Sequence, residues 1–75
     1  MELNDFIKNF AEQLDDVDVA ALGAETRFKE LEEWSSLTAL SVIAMVDEEY
    51  GVTIGGEDIR ESSTIGDLFE RIQGK

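Results

Sequence analysis

The sequence predicts an all-α protein, a small bundle of three main helices plus one short helix, with a long loop between the first and second. Three observations carry that reading. Apolar residues recur at helical spacing in three separate segments. No segment alternates long enough to build a sheet, since Val52-Thr53-Ile54 is the only brief alternation. The 75 residues include no Pro, in keeping with helices joined by flexible or turn-like loops. Domains usually take roughly 100–200 residues, so residues 1–75 are expected to form a single domain. Its radius of gyration should be about 11 Å if compact.

The first helix is expected over about 3–14, where Leu3, Phe6, Ile7, Phe10, Ala11 and Leu14 form one apolar stripe. Asn4 or Asp5 would cap its start or place favourable charge there. Residues 15–35 read as the loop. Asp15-Asp16-Val17-Asp18-Val19 interrupts the stripe, Gly23 punctuates, and Thr26, Phe28, Leu31 and Trp34 follow no single period. Loops beyond about 12–15 residues are uncommon in compact domains and often functional. Val17, Val19, Leu22, Phe28, Leu31 and Trp34 are expected to pin this one to the core, with Trp34 as an anchor.

The second helix, about 36–50, has the strongest pattern. With Leu37 at zero and 100° per residue, Val42, Val46, Ala39, Tyr50 and Ile43 fall between roughly 140° and 240°, the expected core face. Leu37, Leu40 and Ala44 fall outside it and leave an apolar strip without an evident packing role. Ser35 or Ser36 caps the start, and Gly51 suits the position after the end. Gly55-Gly56 reads as a hinge, followed by a short helix over about 57–61 around Ile59. Ser63 or Thr64 opens the last helix, about 65–73, whose stripe is Ile65, Leu68, Phe69 and Ile72. Thr64-Ile65-Gly66-Asp67 is a weak capping box. Gly66 is expected to cost this helix about 1 kcal/mol relative to Ala.

Composition narrows the function. Six Lys and Arg stand against 18 Asp and Glu, a net charge of −12. Nucleic acid and anionic membrane would repel such a chain, so basic surfaces are the expected partners. A hydrophobic content of 43% is too high for an acidic disordered tail. Without Cys there is no thiolate nucleophile, disulfide or zinc-thiolate site, and without His the usual general base is missing. No apolar run reaches the roughly 18 residues of a membrane span, and the acidic start lacks a signal-peptide pattern. A cytoplasmic monomer with no membrane insertion is the expectation.

Candidate chemistries fail one after another. A calcium loop begun at Asp16 would put Ala20, Ala21 and Arg27 where ligands, the turn Gly and the closing Glu belong. Asp15, Asp16 and Asp18 would attract divalent ions only weakly, and no metal site is expected. Glu32-Glu33 and Glu48-Glu49 read as solvated faces rather than acid–base pairs. Gly55-Gly56 lacks the Lys-Ser/Thr of a phosphate loop. Ser35 and Ser36 have no base to activate them, since there is no His and no Lys between Lys29 and Lys75. A serine that cannot act can be acted upon, and a helix N-terminus favours an anionic phosphate ester.

These residues together resemble the acyl carrier protein family. Trp34-Ser35-Ser36-Leu37 and the helix end Asp47-Glu48-Glu49-Tyr50-Gly51 resemble its Asp-Ser-Leu and acidic-aromatic segments. Thr26-x-Phe28-x-x-Leu31 upstream, and Ile54 and Thr64-Ile65-Gly66-Asp67-Leu68 downstream, match in order. The resemblance implies an acyl-carrier-like bundle bearing 4′-phosphopantetheine, transferred from coenzyme A to Ser36 by a magnesium-dependent phosphopantetheinyl transferase. Ser35 is the less favoured acceptor. It further implies a non-catalytic carrier that holds acyl groups as thioesters and passes them among fatty-acid synthesis enzymes with basic docking surfaces.

Leu37, Leu40, Ser41, Ala44, Asp47 and Glu48 would be its partner-binding residues. Ser35, Ser41 and Ala44 depart from the family's usual Asp, Glu and Met. They favour a different cargo, aminoacyl or polyketide-type, as the alternative. A helical acidic adaptor without any prosthetic group is the other alternative. Leu37, Leu40 and Ala44 would contact the arm, its acyl chain or a partner, unless the long loop covers them.

The charge is unevenly placed. From Glu30 to Ile59 there is no Lys or Arg, while Glu30, Glu32, Glu33, Asp47, Glu48, Glu49, Glu57 and Asp58 all lie there. They are expected to form a docking field around Ser36.

Overall fold

Four α-helices and two single 3-10 turns make up the computed structural model, which describes residues 2–14 and 17–75. The helices are α1 (Leu3–Ala11), α2 (Ser36–Tyr50), α3 (Gly56–Glu61) and α4 (Ile65–Gln73), with turns at Val19–Ala21 and Phe28–Glu30. There is no strand among the described residues. The radius of gyration is 10.9 Å, matching the size expected of a compact chain of this length. Asp15 and Asp16, expected to break the first stripe and to draw divalent ions, lie outside the described residues.

Helix α1 stops at Ala11, short of the expected end near residue 14. The N–H groups of Gln13 and Leu14 donate to the carbonyls of Phe10 and Ala11, three residues back, so the chain tightens into turns there. Leu14 is still buried, because that tightening keeps it over the core. The N-cap is Glu2, with no side-chain bond, and Asn4 does not cap. Asp5 lies in the first turn, where it favours the dipole.

The core joins Phe6, Ile7, Phe10 and Leu14 of the first segment to Val42, Met45 and Val46 of α2, Ile54, Ile59, and the α4 stripe Ile65, Leu68, Phe69 and Ile72. Met45 lies outside the arc expected from the wheel. Ala39, Ile43 and Tyr50, inside that arc, are only half-buried. The buried face of α2 is therefore rotated toward Met45, whose flexible thioether fills space that a branched side chain would not. The Asn9 side-chain amide donates to the Tyr50 hydroxyl at 2.9 Å and ties α1 to the end of α2.

The long loop is held mainly by aromatic packing. Phe28 is fully buried, edge-on to Phe10 at 5.4 Å and to Trp34 at 4.9 Å. Trp34 stacks on Phe10, with ring planes within 2°. Each such pair is worth about 0.5–1.5 kcal/mol beyond area burial. Val17, Leu22 and Leu31 also pack on the core, but Val19 does not. It is 39% exposed because it sits in the solvent-facing turn opened by Asp18, whose carboxylate accepts from the Ala20 N–H.

The loop also meets α4 backbone to backbone. The Ile65 and Gly66 N–H groups donate to the carbonyls of Thr26 at 3.0 Å and Ala24 at 2.8 Å. Both donors lie in the first turn of α4, where N–H groups lack helical partners. Thr64 caps that turn and forms the expected box: its hydroxyl accepts from the Asp67 N–H, and the Asp67 carboxylate accepts from the Ser63 and Thr64 N–H groups.

Asp58 departs from the sequence reading. It is buried, not part of an exposed acidic field. One carboxylate oxygen accepts two bonds from the Arg71 guanidinium, at 2.9 and 3.1 Å. The other accepts from the Gly55 N–H at 3.1 Å and lies 3.4 Å from the Lys75 ammonium. These donors, the Gly55 N–H foremost and Arg71 next, hold its carboxyl below the ordinary value against the opposing effect of burial.

Candidate functional site

Three constraints fix the turn that presents Ser36. Trp34 is anchored in the aromatic cluster two residues upstream. Ser35 adopts an extended backbone (φ −151°, ψ 174°) and caps α2 by accepting the Thr38 N–H at 3.2 Å. Its carbonyl accepts the first helical bond, from the Ala39 N–H at 3.0 Å. The cap is therefore Ser35, which resolves the choice between the two serines. Ser36 is the first helical residue, and it is exposed.

No acid lies in the first turn of α2, so nothing in that turn opposes a second negative charge. The early N–H groups and the helix dipole favour an anion beside Ser36. An exposed hydroxyl on a rigid turn, with no base nearby, fits esterification by an outside enzyme. It does not fit nucleophilic catalysis by this chain. At the far end, Gly51 takes φ +66° and its N–H returns to the Asp47 carbonyl, the left-handed cap that Gly allows.

The apolar strip is open. Leu37 is 76% exposed and Leu40 62%, while Ser41 and Ala44 are exposed beside them. The long loop does not cover them, because Phe28, Leu31 and Trp34, its apolar residues nearest α2 in sequence, pack on the core instead. Asp47, Glu48 and Glu49 are exposed on the last turns of the same helix, and Glu32 just before it. The first turns of α2 thus present apolar and neutral surface beside Ser36, with acids on both flanks. A groove of about 640 Å³ runs between Lys8–Glu12 and Val17–Val19. It includes no residue of α2 and is no part of this site.

Among the described residues no group of carboxylates is placed to hold a metal ion. Among those residues no helix is long and apolar enough to cross a membrane.

Thr38 is the residue that the pattern reading passed over. Its hydroxyl donates to the Glu33 carbonyl at 3.2 Å and lies 3.1 Å from the Ser35 hydroxyl. A signal was present: Ser35 and Thr38 stand at the N-cap and N3 positions of α2, the spacing at which cap and N3 side chains meet.

Comparison with protein families matches the chain to the phosphopantetheine attachment site family over residues 5–72. Comparisons with curated protein sequences and with solved structures give no significant match.

Proposed function

The chain belongs to the phosphopantetheine attachment site family, and from that premise we propose that Ser36 is the attachment residue. Members of this family are carriers rather than catalysts, and the chain is a phosphopantetheine-attachment carrier of the acyl-carrier type. Such carriers work with a phosphopantetheinyl transferase and acyl-transferring enzymes.

The observation that supports Ser36 is its place as the first residue of α2, exposed, with its turn fixed from both sides. In the loading step the Ser36 hydroxyl oxygen forms a bond to the pantetheine-side phosphorus of coenzyme A. The bond from that phosphorus to the adenosine bisphosphate breaks, and the serine proton leaves to a base of the transferase or to water. The product is a phosphodiester, and no oxidant or reductant is involved. When bound, the arm supplies the thiol that holds an acyl group as a thioester, which this Cys-free chain cannot supply itself.

The partners of this reading are enzymes with basic docking surfaces. Asp47 and Glu48 offer the charge that attracts them, and Leu37, Leu40, Ser41 and Ala44 offer the close contact. The cargo is an acyl intermediate of fatty-acid synthesis, and the setting is the cytoplasm. A specialised pathway with an aminoacyl or polyketide-type cargo is the second reading. The uncharged α2 face at Ser41 and Ala44 favours it.

Incubating the apo protein with coenzyme A, magnesium and a broad-specificity phosphopantetheinyl transferase tests the assignment by intact mass. One added arm is expected, retained in Ser35→Ala and lost in Ser36→Ala. No mass gain in the wild-type protein sinks the carrier reading. Charging of the loaded protein by an acyl-carrier synthetase, against an amino-acid adenylation enzyme, separates the two cargoes.

A further inference from the structure

We propose that Thr38 is a positioning and specificity-determining residue, which withdraws Ser35 as an acceptor and holds the turn that presents Ser36; the inference rests on the carrier reading above. Two serines stand side by side at the start of α2, and the family resemblance that favours Ser36 does not say what physically spares Ser35. Hydrogen-bond accounting separates them. A threonine hydroxyl has one proton, and that of Thr38 goes to the Glu33 carbonyl. The 3.1 Å contact between the Thr38 and Ser35 hydroxyls therefore takes its proton from Ser35. Ser35 also accepts the Thr38 N–H. Its only proton and the lone pair facing the helix are both engaged.

The Ser36 hydroxyl makes no hydrogen bond to another described residue. It is the free one of the pair. Attack by Ser35 would require breaking two hydrogen bonds and uncapping a 15-residue helix.

The same bonds close a small ring. From Glu33 to Thr38 the chain turns from loop to helix, and Thr38 links the two ends of that turn through its side chain. Ser36 is one of the residues this ring encloses, and it is exposed. Without the Thr38 hydroxyl, Glu33 keeps no tie to the helix through this side chain, and Ser35 is left with the Thr38 N–H bond alone. Position 38 is half-buried, so valine fits the space without the hydroxyl, whereas serine keeps it.

The test compares wild type, Thr38→Val, Thr38→Ser and Ser36→Ala. Each is loaded from coenzyme A by one broad-specificity transferase, followed by intact mass and mapped by peptide. Wild type should carry the arm on Ser36 alone. Thr38→Val should load at least about fivefold more slowly in kcat/KM, since it removes both hydrogen bonds of the Thr38 hydroxyl, to Glu33 and Ser35. Thr38→Ser should return to within about twofold of wild type by the same reasoning. Thermal melts run alongside, so that the rate is read on folded protein.

Thr38→Val loading at the wild-type rate overturns the inference, as does failure of Thr38→Ser to rescue, or a Ser35 adduct in wild type. Wild-type protein that takes no arm at all is a different failure, since it removes the carrier reading itself.

Discussion

Replacing Gly66 by Ala should destabilise this protein, although helix propensity says the reverse. Gly66 is the second residue of α4, and exchanging Gly for Ala inside a helix ordinarily gains about 1 kcal/mol. The close approach of Ala24 decides otherwise. A Cβ built on Gly66 would lie 2.9 Å from the Ala24 carbonyl oxygen and 3.2 Å from its Cβ. The first of those neighbours is backbone and cannot swing aside. The Gly66 N–H also bonds that carbonyl at 2.8 Å, so relieving the clash lengthens the bond that joins loop to helix.

Overpacking typically costs about 1–3 kcal/mol, and a weakened hydrogen bond about 0.5–1.5 kcal/mol. Set against the propensity gain, the net is a loss of about 0.5–3.5 kcal/mol. For a domain of this size that lowers Tm by roughly 4–8 °C per kcal/mol. Urea denaturation gives the comparison, with Gly56→Ala as control. Gly56 is also helical, but a Cβ there meets nothing within 4 Å. Gly56→Ala should leave the midpoint unchanged or raise it. A midpoint for Gly66→Ala at or above wild type would refute the reasoning, because propensity would then outweigh the contact.

Other perturbations have equally definite outcomes. Asp58 has a folded-state pKa held below its unfolded value near 3.8. Its contribution is therefore full above the unfolded pKa and lost as pH falls through the folded one. Asp58→Asn should thus cost stability at pH 7, and urea melts from pH 7 to pH 3 should show the gap from wild type narrowing only in the acid range. Trp34→Ala removes a stacked, half-buried ring and should cost about 2 kcal/mol, below the usual value for a fully buried aromatic; chemical denaturation reads it. Leu37→Ala and Leu40→Ala, on exposed side chains, should shift stability by no more than about 0.5 kcal/mol, while slowing acyl transfer by a partner enzyme. Added salt should raise Tm by screening the repulsion among 18 acids.

The helices were legible where apolar spacing alone decides, as in Ile65, Leu68, Phe69 and Ile72. The cap at Thr64 and the left-handed Gly51 followed from local chemistry. What escaped the reading depends on contacts across the chain. Met45 is buried because of what faces α2, which no wheel drawn on one helix contains. Gly66 reads as a local cost until Ala24 is seen against it. Asp58 reads as one more exposed acid until Arg71 of α4 and the C-terminal Lys75 converge on it. The candidate site was half legible. Ser36 and Leu37 stand in a recognisable pattern, but the role of Thr38 needs three hydrogen bonds to become visible.

The removal of Asp58 from the acidic surface changes how that surface works. The acids left exposed include Glu32 just before α2, Asp47, Glu48 and Glu49 on its last turns and Glu57 in α3, and none lies in the first turn of α2. Beside Ser36 lie Leu37, Leu40, Ser41 and Ala44, none of them charged. Charge and contact are therefore divided. Acids act at up to about a Debye length, roughly 10 Å in ordinary buffer, and can draw and orient a basic partner without touching it. On the proposed docking role, contact by Leu37 and Leu40 would add affinity by desolvation, which is independent of salt to first order. A carrier with acids at those positions would instead spend its charge on direct ion pairs, worth little at an exposed surface. On that proposal, discrimination among partners would rest on the shape of the surface that receives Leu37 and Leu40, with the surrounding field common to all basic partners.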